Sequence, residues 1–190
     1  MNKIKSIISC LVVCVLIVLL CSCGKENKSD YYSEIYGEAI AGLEDDELFA
    51  IVEINAASPV LLVTSETYDD GNGNQAAIWC NVYYAPDGEV KNIGTIESMG
   101  TAYPVSYDKE GIYTASGHAV QRFGIDDKTG TIILEEGICE QFDESGNAAY
   151  YTIEEGDKTE TATEEAYYKM FEKYSEADVV NFNYGASGAN

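Results

Sequence analysis

Positive charge is scarce in this chain. Lys and Arg number 11 against 33 Asp and Glu, for a formal net charge of −22 over 190 residues. So acidic a chain repels phosphate backbones, which weighs against nucleic acid as a partner. It equally weighs against electrostatic adhesion to anionic lipid. Histidine occurs once, at His118, and tryptophan once, at Trp79. One imidazole and the two thiols left after the leader (below) offer little for zinc or redox chemistry. A single tryptophan leaves few aromatic platforms for a glycan-cleaving cleft. The acidity is compatible with cation binding, with a basic partner, and with plain colloidal repulsion.

What the sequence does have is an export address. Lys3 and Lys5 precede an apolar run from Ile7 to Leu20. About 14 residues suit a signal-peptide core and fall short of the roughly 20 of a spanning helix. Leu20-Cys21-Ser22-Cys23-Gly24 then resembles the bacterial lipobox: an apolar residue, two small residues and the cysteine whose thiol takes a diacylglycerol. Residues 1–22 are therefore expected to be a lipoprotein signal peptide, with Cys23 the lipidated N-terminus. The address implies a chain held on the outer, extracytoplasmic face of the cell membrane by its lipid. Residues 23–30 read as a polar tether. Gly24 to Asp30 spans at most ~25 Å fully extended, so the domain rides close to the membrane.

Of six cysteines, Cys10, Cys14 and Cys21 leave with the leader and Cys23 carries lipid. Cys80 and Cys139 remain, and in an oxidising compartment they can form a disulfide or stay as separate buried thiols.

Residues 31–182 read as one α+β domain: an antiparallel β-sheet meander flanked by an N-terminal and a C-terminal helix, with a flexible tail over 183–190. Tyr32, Ile35, Tyr36, Ala39, Ile40 and Leu43 follow helical spacing over 30–44, with Ser29 or Asp30 as cap. Strands are expected over 48–54, 60–64, 76–84, 89–96, 102–107, 111–115, 118–125, 131–136, 138–142 and 148–154. Asp87-Gly88 signals a two-residue hairpin. Thr161 and Glu164 form a capping-box pattern, after which Tyr167, Met170, Phe171 and Tyr174 line one helix face.

Three constellations bear on function. In Asp69-Asp70-Gly71-Asn72-Gly73-Asn74, the side-chain oxygens of Asp69, Asp70, Asn72 and Asn74 could wrap calcium, or the segment could be an ordinary polar loop. His118 in Ser116-Gly117-His118-Ala119 has no catalytic partner at recognisable spacing. The 15 tyrosines stand out more. Tyr83, Tyr103, Tyr107 and Tyr113, with Tyr150 and Tyr151, could compose a recognition face or simply occupy half-buried sheet surface.

Taken together, the chain resembles a group of uncharacterised secreted proteins and lipoproteins of Gram-positive bacteria. Their D-x-D-G-D-G-x-P-E-L loop is similar to the calcium loops of FG-GAP and EF-hand-like repeats. The corresponding segment is Glu53 to Val63, with Pro59 and the apolar strand after it in place. Glu53 and Asn55 occupy the first two ligand positions, while Ala56, Ala57 and Ser58 stand where glycine, aspartate and glycine would be. The resemblance implies the architecture over 30–180 and no particular activity.

The reading expected from these residues is a lipid-anchored surface module that binds another protein or an envelope ligand. The alternatives are a calcium-binding structural domain and an envelope hydrolase with dispersed carboxylates. No catalytic constellation is recognised, and an enzyme is not expected.

Overall fold

The computed structural model describes residues 28–154 and 157–185. The expected signal peptide, the lipobox-like segment and Cys23 lie outside the described residues. The chain divides into Met1–Tyr31 and Tyr32–Asn190. Of the first unit only the start of helix α1 (Lys28–Ala41) is described. That helix takes in Ser29 and Asp30, so neither caps it and the last residues of the expected tether are helical.

The second unit is α+β, mostly antiparallel strands, but it holds two large sheets where one was expected. The first sheet runs in the order β14 (Tyr184–Gly185), β1 (Leu48–Val52), β2 (Val60–Thr64), β5 (Trp79–Tyr84), β6 (Lys91–Glu97). The second is a seven-stranded run of β12 (Asp157–Ala162), β11 (Ala148–Glu154), β10 (Thr131–Phe142), β9 (Ala119–Asp126), β8 (Ile112–Ser116), β7 (Ser106–Tyr107) and β13 (Asp178–Val179). A two-stranded ribbon, β3 (Tyr68–Asp69) and β4 (Gln75–Ala76), rises between β2 and β5.

The sequence of β2 explains the doubling. All five of its residues are buried, so both faces of this strand must be covered, as in a sandwich. Successive side chains alternate. Val60 and Leu62 join Val52, Cys80, Val82, Tyr84 and Ile96 in a core shared with Ile112 and Ile125 of the second sheet and with Val180 and Phe182 of the C-terminal segment. Leu61 and Val63 face the other way and pack with Phe49 and with Tyr36 and Ile40 of α1. The second sheet repeats the logic. Tyr113, Ala115, Val120 and Ile138 turn away from the sandwich and meet Tyr167 and Met170 of helix α2 (Glu164–Glu176). The layers are helix, sheet, sheet, helix.

Several boundaries differ from expectation. The runs 131–136 and 138–142 are one strand, β10, with a bulge between Leu134 and Glu136. Asp87-Gly88 lies within a six-residue connection, because Tyr84 pairs with Lys91. β12 carries the polar sequence DKTETA, whose lack of apolar alternation hid it. Because β12 continues to Ala162, the helix cap falls on Thr163, which accepts from the Ala166 N–H at 3.1 Å. The stripe Tyr167, Met170, Phe171 and Tyr174 does pack on the sheet. At the C-terminus, the tail expected from 183 begins with pairing: Tyr184 opposes Phe49 and Gly185 opposes Leu48.

Candidate functional site

β9, β10 and β11 position the site. Ile138, Glu140 and Phe142 share the face of β10 that turns toward α2, since Ile138 packs there. Glu140 pairs with Tyr150 of β11, and its N–H donates to the His118 carbonyl at 2.8 Å. His118 sits in the tight turn between β8 and β9, where its own N–H donates to Ser116 Oγ at 3.2 Å. The register thus sets three chemically distinct side chains in one row: His118, Glu140, Tyr150.

The His118 Nδ1 lies 3.2 Å from Glu140 Oε2. The imidazole is 66 % exposed, while the glutamate side chain is only 13 % exposed. Beyond this pair, Phe142 meets the imidazole edge-on at 5.7 Å between ring centroids. On the other side, Tyr150 contacts Tyr167 at 5.2 Å, and Tyr167 contacts Tyr168 at 5.5 Å. Glu164, in the first turn of α2, brings Oε1 to 3.5 Å from the Tyr150 hydroxyl. Desolvation, reinforced by Glu164 and Glu140, pushes the Tyr150 hydroxyl up to about 12. Desolvation and Glu140 push Tyr167 to about 12 as well. Phe142 and Tyr168 stand 54 % and 58 % exposed. The result is an aromatic surface set around two carboxylates, with two large rings turned to water.

The residues singled out from the sequence distribute differently. Tyr113 is fully buried and donates to Asp108 Oδ2 at 3.0 Å. Tyr83 packs in the cluster beneath α1, Tyr107 at the fringe of the sandwich core, and Tyr103 in the α2 cluster. The four do not form one face, because neighbouring strand positions alternate and Tyr83 belongs to the other sheet. Tyr103 comes nearest to the site: a Cβ added at Gly117 would lie 3.8 Å from its hydroxyl. Tyr151 turns to the opposite face of the sheet from Tyr150 and holds the Lys158 ammonium 5.7 Å over its ring.

Cys80 and Cys139 are both free and buried, so the bridge is not formed. Cys80 lies in the sandwich core on β5 and Cys139 on β10 of the other sheet. Burial pushes the Cys80 thiol up to about 12, which removes it from thiolate chemistry.

The Asp69–Asn74 loop spends its oxygens on itself. Asp70 Oδ1 accepts from the N–H groups of Asn72 (2.8 Å) and Asn74 (3.1 Å), and Oδ2 accepts from Asn74 Nδ2 at 2.8 Å. Asp69 accepts from Gly71 N–H at 2.8 Å. The hairpin between β10 and β11 repeats the device: Asp143 accepts from Ser145 and Asn147 N–H and from Asn147 Nδ2, each at 2.8 Å. Gly73 (φ +97°) and Gly146 (φ +82°) occupy the same place in the two turns, where a left-handed residue is needed. Among the described residues, no three His, Cys, Asp or Glu side chains converge as metal ligands would.

A second feature is a cleft of about 780 Å³ lined by Glu53, Ile54, Asn55, Lys109, Glu110, Arg122 and Glu135. Its guanidinium is already engaged: Arg122 binds Glu135, the Glu110 carbonyl at 3.0 Å and Glu136 at 3.6 Å. The loop carrying Glu53 is anchored elsewhere: Ala57 N–H donates to Asp127 Oδ1 at 2.9 Å, and the Tyr84 hydroxyl donates to the same oxygen. Among the described residues no helix is long and apolar enough to cross a membrane.

Comparison with known protein families, with curated proteins and with solved structures finds no match.

Proposed function

We propose that this protein is a lipid-anchored, extracytoplasmic binding module, and that the His118–Glu140–Phe142–Tyr150–Glu164–Tyr168 surface is where its partner docks. The lipobox at Cys23 supports the anchor. One observation carries the binding surface: Phe142, Tyr168 and the His118 imidazole are all more than half exposed, side by side with the packed ring of Tyr167. Large rings left in water around a desolvated carboxylate are the composition of an interface centre, where aromatic side chains contribute most of the affinity. Of the tyrosines named from the sequence, Tyr150 belongs to this surface, which lies on β10, β11 and α2.

Ligand binding at a preformed surface needs rigid elements beneath it. Here the strand ladder and the capped helix supply them.

The test is the full chain with Phe142→Ser and Tyr168→Ser together. Both positions are exposed, so the variant is expected to melt within about a degree or two of wild type. It is expected to lose the partner that wild type retains on gentle detergent extraction. Equal retention by both forms refutes the assignment. In parallel, Cys23→Ala is expected to move the protein out of the lipid-labelled membrane fraction.

A further inference from the structure

We infer that the occupant of this surface is a segment of another protein that presents a lysine or arginine beside an apolar side chain. The inference rests on the binding reading above and adds the chemistry of the ligand. Glu140 and Glu164 approach the Tyr150 hydroxyl from two different elements, a strand and the start of a helix. Among the described residues no Lys or Arg is ion-paired with either carboxylate. The charged neighbour of Glu140 is His118, and only when protonated. A permanent cation therefore finds two carboxylates unneutralised, one of them largely removed from water, where an opposite charge interacts more strongly than at an open rim.

The rings point to an organic cation rather than a metal ion. Tyrosine faces attract ammonium and guanidinium groups, and no metal-ligating group of three is present among the described residues. The fold makes the same contact internally, with Lys158 over Tyr151 on the other side of the sheet. Phe142, at the far end of the row, asks for an apolar partner as well. A peptide offers both groups a few residues apart, whereas a plain polyamine does not. The formal charge of −22 steers such a segment toward the protein before contact.

The experiment uses the full chain in detergent micelles, labelled with 3-fluorotyrosine and observed by fluorine NMR. The probes are the peptide Ac-Lys-Leu-Lys-Leu-amide and its analogue with both lysines Nε-acetylated. The lysine peptide is expected to give saturable shifts at Tyr150 and Tyr168. Glu140→Gln with Glu164→Gln should weaken it about tenfold. Glu97→Gln with Glu154→Gln removes the same charge elsewhere and should leave binding unchanged. Equal weakening by both pairs would reduce the effect to net charge and overturn the inference. Equal shifts from the acetylated peptide would overturn the cationic ligand while leaving the binding surface in place. Absence of shifts from either peptide also overturns the cationic ligand. The binding reading is then judged by whether a photocrosslinker at position 168 captures a neighbour on cells.

Discussion

Phe182 donates its backbone N–H to the Gln75 carbonyl at 2.8 Å, two residues after Val180 donates to Val105 at 3.0 Å. β13 pairs in the second sheet and β14 in the first, so between Val179 and Tyr184 the chain crosses from one to the other, touching the β3–β4 ribbon on the way. Val180 and Phe182 are both fully buried in the core between the two sheets. The C-terminal segment is thus a strap across the sandwich. Phe182→Ala is expected to cost about 3–5 kcal/mol, the range for removing a fully buried phenylalanine. Denaturant unfolding of the purified chain measures it. A loss under about 1 kcal/mol would mean that the strap does not hold the sheets.

Arg122 offers the contrasting case of a charged residue that the fold depends on. Its side chain is 15 % exposed and joins Glu135 and Glu136, while Lys173 of α2 reaches Glu136 at 3.1 Å and Glu110 at 3.6 Å. Arg122→Leu leaves these partly buried carboxylates facing each other. The expected loss is about 2–3 kcal/mol, below the full cost of breaking a buried pair because Glu135 and Glu136 retain solvent. His118→Ala, with its imidazole two-thirds exposed, is expected to cost under about 1 kcal/mol. Thermal melts should rank the two variants in that order.

The two Asp hairpins set an acid limit on stability. Hydrogen bonds from Asn74 and Asn72 hold the Asp70 carboxyl below the usual carboxylate range, and Asn147 and Ser145 do the same for Asp143. A depressed native pKa means the native state favours the ionised form. That stabilisation is present above the ordinary value of about 3.9 and is lost as pH falls through the native values. The double variant Asp70→Asn with Asp143→Asn should therefore melt below wild type at pH 6, with the gap closing toward pH 2. A gap that stays constant with pH would contradict this account.

The same turns bear on calcium. Because the Asp70 oxygens already accept the loop's own N–H groups, millimolar calcium after chelator should shift the melt no more than a sodium chloride control of equal ionic strength. A calcium-specific rise would point back to Asp69, Asp70, Asn72 and Asn74 as ligands.

The sequence made legible whatever depends on local periodicity. β2 was readable to the residue because five apolar or β-branched positions in a row have no helical phase. The Tyr167–Tyr174 stripe was readable because its spacing has one. What depends on register was not. His118 and Glu140 are 22 residues apart, and only the pairing of β9 with β10 brings them together. Tyrosines that look equivalent along the chain part company across the pleat, so Tyr150 packs on Tyr167 while its neighbour Tyr151 meets Lys158 on the other face. β12, at the sheet edge, is polar from Asp157 to Thr161 and so carries no hydrophobic phase in the sequence.

The most direct test places a photocrosslinking amino acid at position 142, at 168, or at the exposed Glu97 on the far sheet, in the full chain expressed in living cells. The account predicts a discrete crosslinked species from 142 and 168 and none from 97. The same pattern from all three positions, or from none, would contradict a docking surface on this face.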